Sequence, residues 1–202
     1  MIDHYARQIL PRLVSPLINF YHRHNLSPNQ ITFIGLIFAV LASLCIIMGW
    51  NILALILWWM GRLFDGTDGI YARQFQLATP FGAYWDFLAD MAAYSLMVIA
   101  FALAFPASSY YWLIILFLYI LCSTTALSLG IQEEKLGVEA RDNRGLRLGA
   151  GLAEGGETGI AYSLFLIFPA FIESLAFVWI AILTMTVVAR SMLAYNVLRS
   201  GK

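Results

Sequence analysis

Residues 65–90 read DGTDGIYARQFQLATPFGAYWDFLAD, with four aspartates (Asp65, Asp68, Asp86, Asp90) set among Trp, Phe, Leu and Ile. A carboxylate in hydrocarbon is costly, so ionisable groups within apolar spans are functional by default. Outward from this stretch the chain stays apolar. Of its 202 residues 61% are hydrophobic and 12% charged, against about 25% charged in an ordinary soluble domain. Mean hydropathy is +0.76. So much apolar surface does not fit one core, and lipid is the expected solvent. The formal net charge is zero; no nucleic-acid partner is expected.

A membrane-crossing helix needs roughly 20 apolar residues. Six such segments follow: Ile31–Gly49, Ile52–Tyr71, Phe81–Phe105, Tyr110–Gly130, Gly151–Pro169 and Leu175–Leu198. The expectation is an all-α integral membrane protein forming a single domain over 1–202, with a six-helix bundle over 31–198. Met1 to His24 mixes charged and apolar residues and has no continuous apolar run before a small-residue cleavage site, so it is not expected to be a cleavable signal peptide. It reads as an amphipathic interfacial helix within residues 1–25, interrupted near Pro11 and Pro16. The turns GWN, PASS and PAFIE carry no Lys or Arg, whereas the basic residues gather at the other side. That asymmetry places both termini and the aspartates in the cytoplasm, at a cell membrane such as the bacterial inner membrane. Cys45 and Cys122 fall within spans and read as packing residues. Gln132 to Arg147 reads as a solvated loop of mixed sign whose arginines can meet lipid headgroups.

Asp65 and Asp68 are three apart and Asp86 and Asp90 four apart, so each pair shares a helical face. The two helices are consecutive and antiparallel, and the four carboxylates can converge. Unneutralised, such a group would hold protons rather than four charges. Hard oxygen donors without His or Cys suit Mg²⁺ or Mn²⁺, not zinc. Two ions about 4 Å apart would clamp a phosphoryl group. Gly66, Gly69, Ala72 and Gly82 allow close approach, and Arg73 can bind a phosphate bidentately. Taken singly, the glycines could be packing residues and Arg73 a membrane anchor. Arg62, one turn before the motif, has two readings: partner of an aspartate, or contact to a lipid phosphate.

The spacing D-x-x-D-G-x-x-A-R-x8-G-x3-D-x3-D is met by Asp65, Asp68, Gly69, Ala72, Arg73, Gly82, Asp86 and Asp90. In this the chain resembles the CDP-alcohol phosphatidyltransferases. LSPNQIT, Leu26 to Thr32, is similar to the P-N-x-x-T element of that family. The resemblance implies transfer of a phosphoalcohol group from a CDP-alcohol to a hydroxyl with release of CMP. It implies one metal on Asp65, Asp68 and Asp86, and a second on Asp65, Asp86 and Asp90, with Asp90 also the general base. It implies a CDP site lined by Gly69, Ala72, Arg73 and Gly82 and closed by Asn29 and Thr32, and a homodimer.

The acceptor side departs from the pattern. Where branches using glycerol 3-phosphate would carry a basic element, this chain has GAGLAEGGETG, Gly149 to Gly159. Glu154 and Glu157 share a helical face. With Arg144 and Arg147 nearby in sequence they form the expected acceptor pocket, suited to a neutral polyol or an amino alcohol. The alternative is a structural pair of glutamates with Arg190 or Arg62. The donor expected is CDP-diacylglycerol and the acceptor a small polar alcohol. The alternatives are a CDP-amino-alcohol donor with diacylglycerol as acceptor and, from another class, a divalent cation transporter. Against the transporter, the charges sit at one end of the bundle and mark no path across it.

Overall fold

The structure is a computed structural model and describes residues 14–135 and 155–200. Those residues are all-helical. α1 (Ser15–Arg23) precedes α2 (Pro28–Ile47), α3 (Asn51–Gln74), α4 (Pro80–Ala104), α5 (Ser109–Lys135), α6 (Gly155–Ile167) and α7 (Ile172–Ser200). Short 3₁₀ turns at Pro106–Ser108 and Pro169–Phe171 lead into α5 and α7.

Local chemistry explains the helix starts. At α2 the Ser27 hydroxyl accepts from the Gln30 amide (3.3 Å) while the Gln30 side chain accepts from the Ser27 amide (2.8 Å). This is a reciprocal capping box followed by proline in the first turn. At α4 the Thr79 hydroxyl accepts from the Gly82 amide at 3.0 Å, again with proline next. Pro16 likewise lies in the first turn of α1, so it starts that helix rather than interrupting it. Pro11 and the rest of residues 1–13 lie outside the described residues.

Four described segments are long and apolar enough to cross a membrane: Pro28–Ile47, Pro80–Ala104, Pro106–Lys135 and Pro169–Arg199. α3 has the length, 24 residues, but also carries the charged motif. α6 has 13 described residues, about 20 Å at 1.5 Å per residue. The outward faces hold Phe33, Leu103, Leu113, Ile120, Phe177 and Met185, each more than half exposed. Apolar coverage on this scale fits a lipid-facing belt.

One expectation is corrected. Gln132–Lys135 is not loop but the last turn of α5, and Glu133 is buried at 1% exposure. Polar residues beside a buried face can continue a helix when their side chains find partners inside.

Inside, Phe101 stacks on Trp112 (5.1 Å) and meets Phe165 edge-on (5.5 Å). Tyr119, Tyr162 and Trp179 satisfy one another there: Trp179 Nε1 donates to Tyr119 Oη (3.0 Å), Tyr119 and Tyr162 hydroxyls pair (2.9 Å), and Tyr162 donates to the Tyr94 carbonyl (2.9 Å). α1 packs through Ile18 and Tyr21 against Ile31 and Tyr71. Thr67 donates its single hydroxyl proton to a backbone carbonyl of its own helix, so Tyr21 is the donor in its 3.1 Å bond to Thr67. Burial pushes the Tyr21 phenol up, which keeps that donor proton in place.

α2 packs on both α3 and α4. The approach to α3 is set by Gly35 and Gly61: a Cβ on Gly61 would stand 3.0 Å from the Gly35 carbonyl oxygen, and one on Gly35 3.1 Å from that of Gly61. Two backbones touch there, as small residues allow in membrane bundles. Gly61→Val is expected to destabilise by about 1–3 kcal/mol through overpacking, which outweighs the gain of less than ~1 kcal/mol from replacing a helical glycine. A melting curve in detergent checks this; an unchanged midpoint would show that the helices separate freely.

Candidate metal and nucleotide site

The Gly35–Gly61 contact lays the first turns of α2 beside the end of α3. There Thr32 and Asp68 are both buried, at 4% and 3% exposure. The Thr32 hydroxyl donates to Asp68 Oδ2, and the Gly69 amide donates to Asp68 Oδ1. Both oxygens of Asp68 are thus oriented by the protein, each keeping further lone pairs.

Asp65 from α3 and Asp86 and Asp90 from α4 form the centre. Each can bring one carboxylate oxygen to a position where all three lie within 4.8 Å of one another. The side chains of Asp65 and Asp90 are 19% and 22% exposed, so the centre is sheltered but not sealed. The donors are oxygen only and carry excess negative charge, which fits a hard divalent cation such as Mg²⁺ or Mn²⁺.

Arg62 resolves between its two readings: it belongs to the aspartates. Its Nη1 lies 2.6 Å from Asp90 Oδ1, 3.2 Å from Asp65 Oδ2 and 3.2 Å from the Tyr94 hydroxyl. Its guanidinium sits over Trp58 (4.8 Å) and Tyr94 (5.1 Å). Neither aromatic is apparent as a site residue in the sequence. The available signal was helical spacing, since Trp58 precedes Arg62 by four residues and Tyr94 follows Asp90 by four.

The other motif residues fall around this centre. Gly82 faces Asn29, because a Cβ at Gly82 would stand 3.2 Å from Asn29 Oδ1. Gly69 lies under Arg73, whose Nη1 would be 3.2 Å from an added Cβ. Ala72 is buried and Arg73 exposed, so the end of α3 turns a small residue inward and a cation outward. Glu157 is half-buried in the first turn of α6. The start of that helix reaches the same region: a Cβ on Gly155 would be 3.0 Å from the Tyr94 hydroxyl. Arg190 is buried and donates to the Cys122 carbonyl at 2.8 Å. Glu154, Arg144 and Arg147 lie outside the described residues.

The family model for CDP-alcohol phosphatidyltransferase matches residues 25–189. An inner membrane protein of Escherichia coli K12, YnjF, is 27% identical over 203 residues, covering 99% of this chain and 98% of that one. The CDP-diacylglycerol–inositol 3-phosphatidyltransferase of Candida albicans is 30% identical over 88 residues, 44% of this chain and 38% of that one. Among solved structures, the phosphatidylinositol phosphate synthase of Mycobacterium tuberculosis with CDP-DAG bound superposes with a TM-score of 0.74 at 19% identity, covering 91% and 94% of the two chains. The same enzyme in complex with manganese and citrate gives 0.70 at 20% identity, covering 89% and 88%. At these identities the structural likeness speaks to the fold.

Proposed function

Since the chain belongs to the CDP-alcohol phosphatidyltransferase family, we propose that it moves a phosphatidyl group from CDP-diacylglycerol to a hydroxyl of a small polar alcohol and releases CMP. The observation that carries this reading is the meeting of Asp65, Asp86 and Asp90 within 4.8 Å, flanked by Asn29 and Thr32 of α2. In the reaction the acceptor oxygen forms a bond to the β-phosphorus, the bond from that phosphorus to CMP breaks, and the acceptor proton passes to Asp90.

Asp65, Asp68, Asp86 and Asp90 would hold two divalent ions, Mg²⁺ or Mn²⁺, which when bound neutralise the pyrophosphate and the charge developing on CMP. The chain's own residues do the rest. Arg73 offers a guanidinium to the phosphates. Gly69 and Gly82 leave room for the nucleotide, which Ala72, Asn29 and Thr32 enclose. Asp90 activates the hydroxyl, a poor nucleophile without a base.

The acceptor enters beside α6, with Glu154, Glu157, Arg144 and Arg147 forming its pocket. The nearness of Gly155 to Tyr94, which contacts Arg62, supports that route. Carboxylates there favour a neutral polyol or an amino alcohol over a phosphorylated acceptor. The names of the Candida and Mycobacterium proteins make inositol and its phosphate the first acceptors to try.

The architecture goes with this chemistry: one domain over 1–202, an interfacial helix in 1–25 and six crossings within 31–198. α3 crosses with Arg62, Asp65 and Asp68 turned into the bundle, and α6 belongs to the fifth crossing. The site and both termini face the cytoplasm of the bacterial inner membrane, and the enzyme is a homodimer.

The test is product analysis with purified protein in mixed micelles. CDP-diacylglycerol is supplied with inositol, inositol phosphate, glycerol, glycerol 3-phosphate, serine and amino alcohols; CDP-choline and CDP-ethanolamine are supplied with diacylglycerol. A phospholipid product that appears with a neutral or amino-alcohol acceptor supports the proposal. Product only with a phosphorylated acceptor removes the proposed role of the glutamates, and product only from diacylglycerol reverses donor and acceptor.

A further inference from the structure

We infer that Arg62 is a positioning residue for the carboxylate centre, holding Asp90 in one orientation so that a fixed oxygen meets the acceptor hydroxyl. The inference rests on the transferase reading above and adds to it a residue that lies outside the aspartate–glycine–arginine motif.

A carboxylate on a short side chain turns easily about its last torsion, which is broad and roughly two-fold. A base that turns freely spends much of its time misaligned. Arg62 removes that freedom. Its Nη1 contacts Asp90 Oδ1 at 2.6 Å, Asp65 Oδ2 at 3.2 Å and the Tyr94 hydroxyl at 3.2 Å. One nitrogen with two hydrogens serves three acceptors, and Asp90 has the shortest contact. Oδ1 is thereby tied to Arg62, which fixes the plane of the carboxylate while each oxygen keeps further lone pairs.

The guanidinium is itself held. It comes from α3, three residues before Asp65, and reaches across to α4. Trp58, one turn earlier on α3, and Tyr94, one turn beyond Asp90 on α4, hold it at 4.8 and 5.1 Å. Its side chain is 9% exposed. A planar cation both stacks on aromatic faces and donates in its plane, which an ammonium does not do. Nη1 of Arg62 is given to the protein's own groups, Asp90, Asp65 and Tyr94.

This arrangement has a signature that other roles lack. Arg62 is a positive charge beside carboxylates suited to a cation, so its removal does not weaken cation binding on electrostatic grounds. It does free the base, and misplacement by about 1 Å can cost ~10²-fold in rate. The test compares wild type, Arg62→Gln and Arg62→Lys as full chains in detergent micelles. Three quantities are read: Mn²⁺ affinity by electron paramagnetic resonance without substrate, and kcat and KM for CMP release.

For Arg62→Gln the expected result is Mn²⁺ affinity equal to or tighter than wild type, an unchanged KM for the CDP donor and a kcat lower by about 10²-fold. Arg62→Lys keeps the charge, loses the plane, and is expected to lose kcat to a smaller extent with Mn²⁺ affinity intact. If the glutamine variant does not fold, the lysine variant carries the comparison alone. Wild-type kcat in either folded variant overturns the inference. So does a loss of Mn²⁺ affinity in step with kcat, which would make Arg62 a builder of the metal site. A wild type that releases no CMP with any donor and acceptor overturns the transferase reading instead.

Discussion

Asp90→Asn is expected to lower kcat by about 10³-fold, within the range that general-base catalysis contributes, while the CDP donor still binds. The amide matches the carboxylate in shape but cannot accept the acceptor's proton. Donor recognition is expected to survive because the residues proposed to hold the nucleotide lie elsewhere: Asn29 and Gly82 face each other, and Arg73 lies over Gly69. Asp90 stands farther along α4, four residues past Asp86, and contacts Arg62. Steady-state CMP release gives the first quantity and isothermal titration with CDP the second. Turnover near the wild-type rate would remove Asp90 from proton transfer. Loss of CDP binding in parallel would make it a donor-site residue.

The second large effect is expected at Asp86. Asp86→Asn should abolish both Mn²⁺ binding and turnover, because Asp86 belongs to the three carboxylates that can meet within 4.8 Å and is proposed as a ligand of both ions. Removing a carboxylate from an all-oxygen site lowers its charge and its donor number together. Turnover below detection with the helical circular dichroism of wild type is the predicted pair. An Asp86→Asn protein that binds Mn²⁺ as wild type does would place the ions elsewhere. The contrast with Arg62 is direct: one side chain is expected to carry metal affinity, the other rate alone.

Much of this arrangement was legible because it is local. Ser27, Pro28 and Gln30 encode a helix start, as do Thr79 and Pro80. The spacings Asp65–Asp68 and Asp86–Asp90 each predict a shared face, and consecutive helices joined by a short turn bring two such faces together. What was not legible depends on how helices cross. Gly35 and Gly61 are 26 positions apart, show no periodicity, and acquire meaning only where their carbonyls meet the opposite backbone. Arg62 had two readings until the crossing of α3 and α4 set it between Asp65 and Asp90. Glu133 looked like loop because its neighbours are polar, yet it is buried at the end of α5. Helical periodicity assigns a face to a residue; it does not say which other helix lies opposite.

The measurement that tests the central claim most directly is metal-dependent CMP release by wild type and Asp86→Asn side by side in the same micelles. The claim is that the clustered aspartates form the centre at which a CDP-alcohol is cleaved. It predicts release by wild type with Mn²⁺ or Mg²⁺, none after chelation, recovery on adding the ion back, and none from the variant at any metal concentration. Release that persists in chelator, or from Asp86→Asn at the wild-type rate, would contradict it.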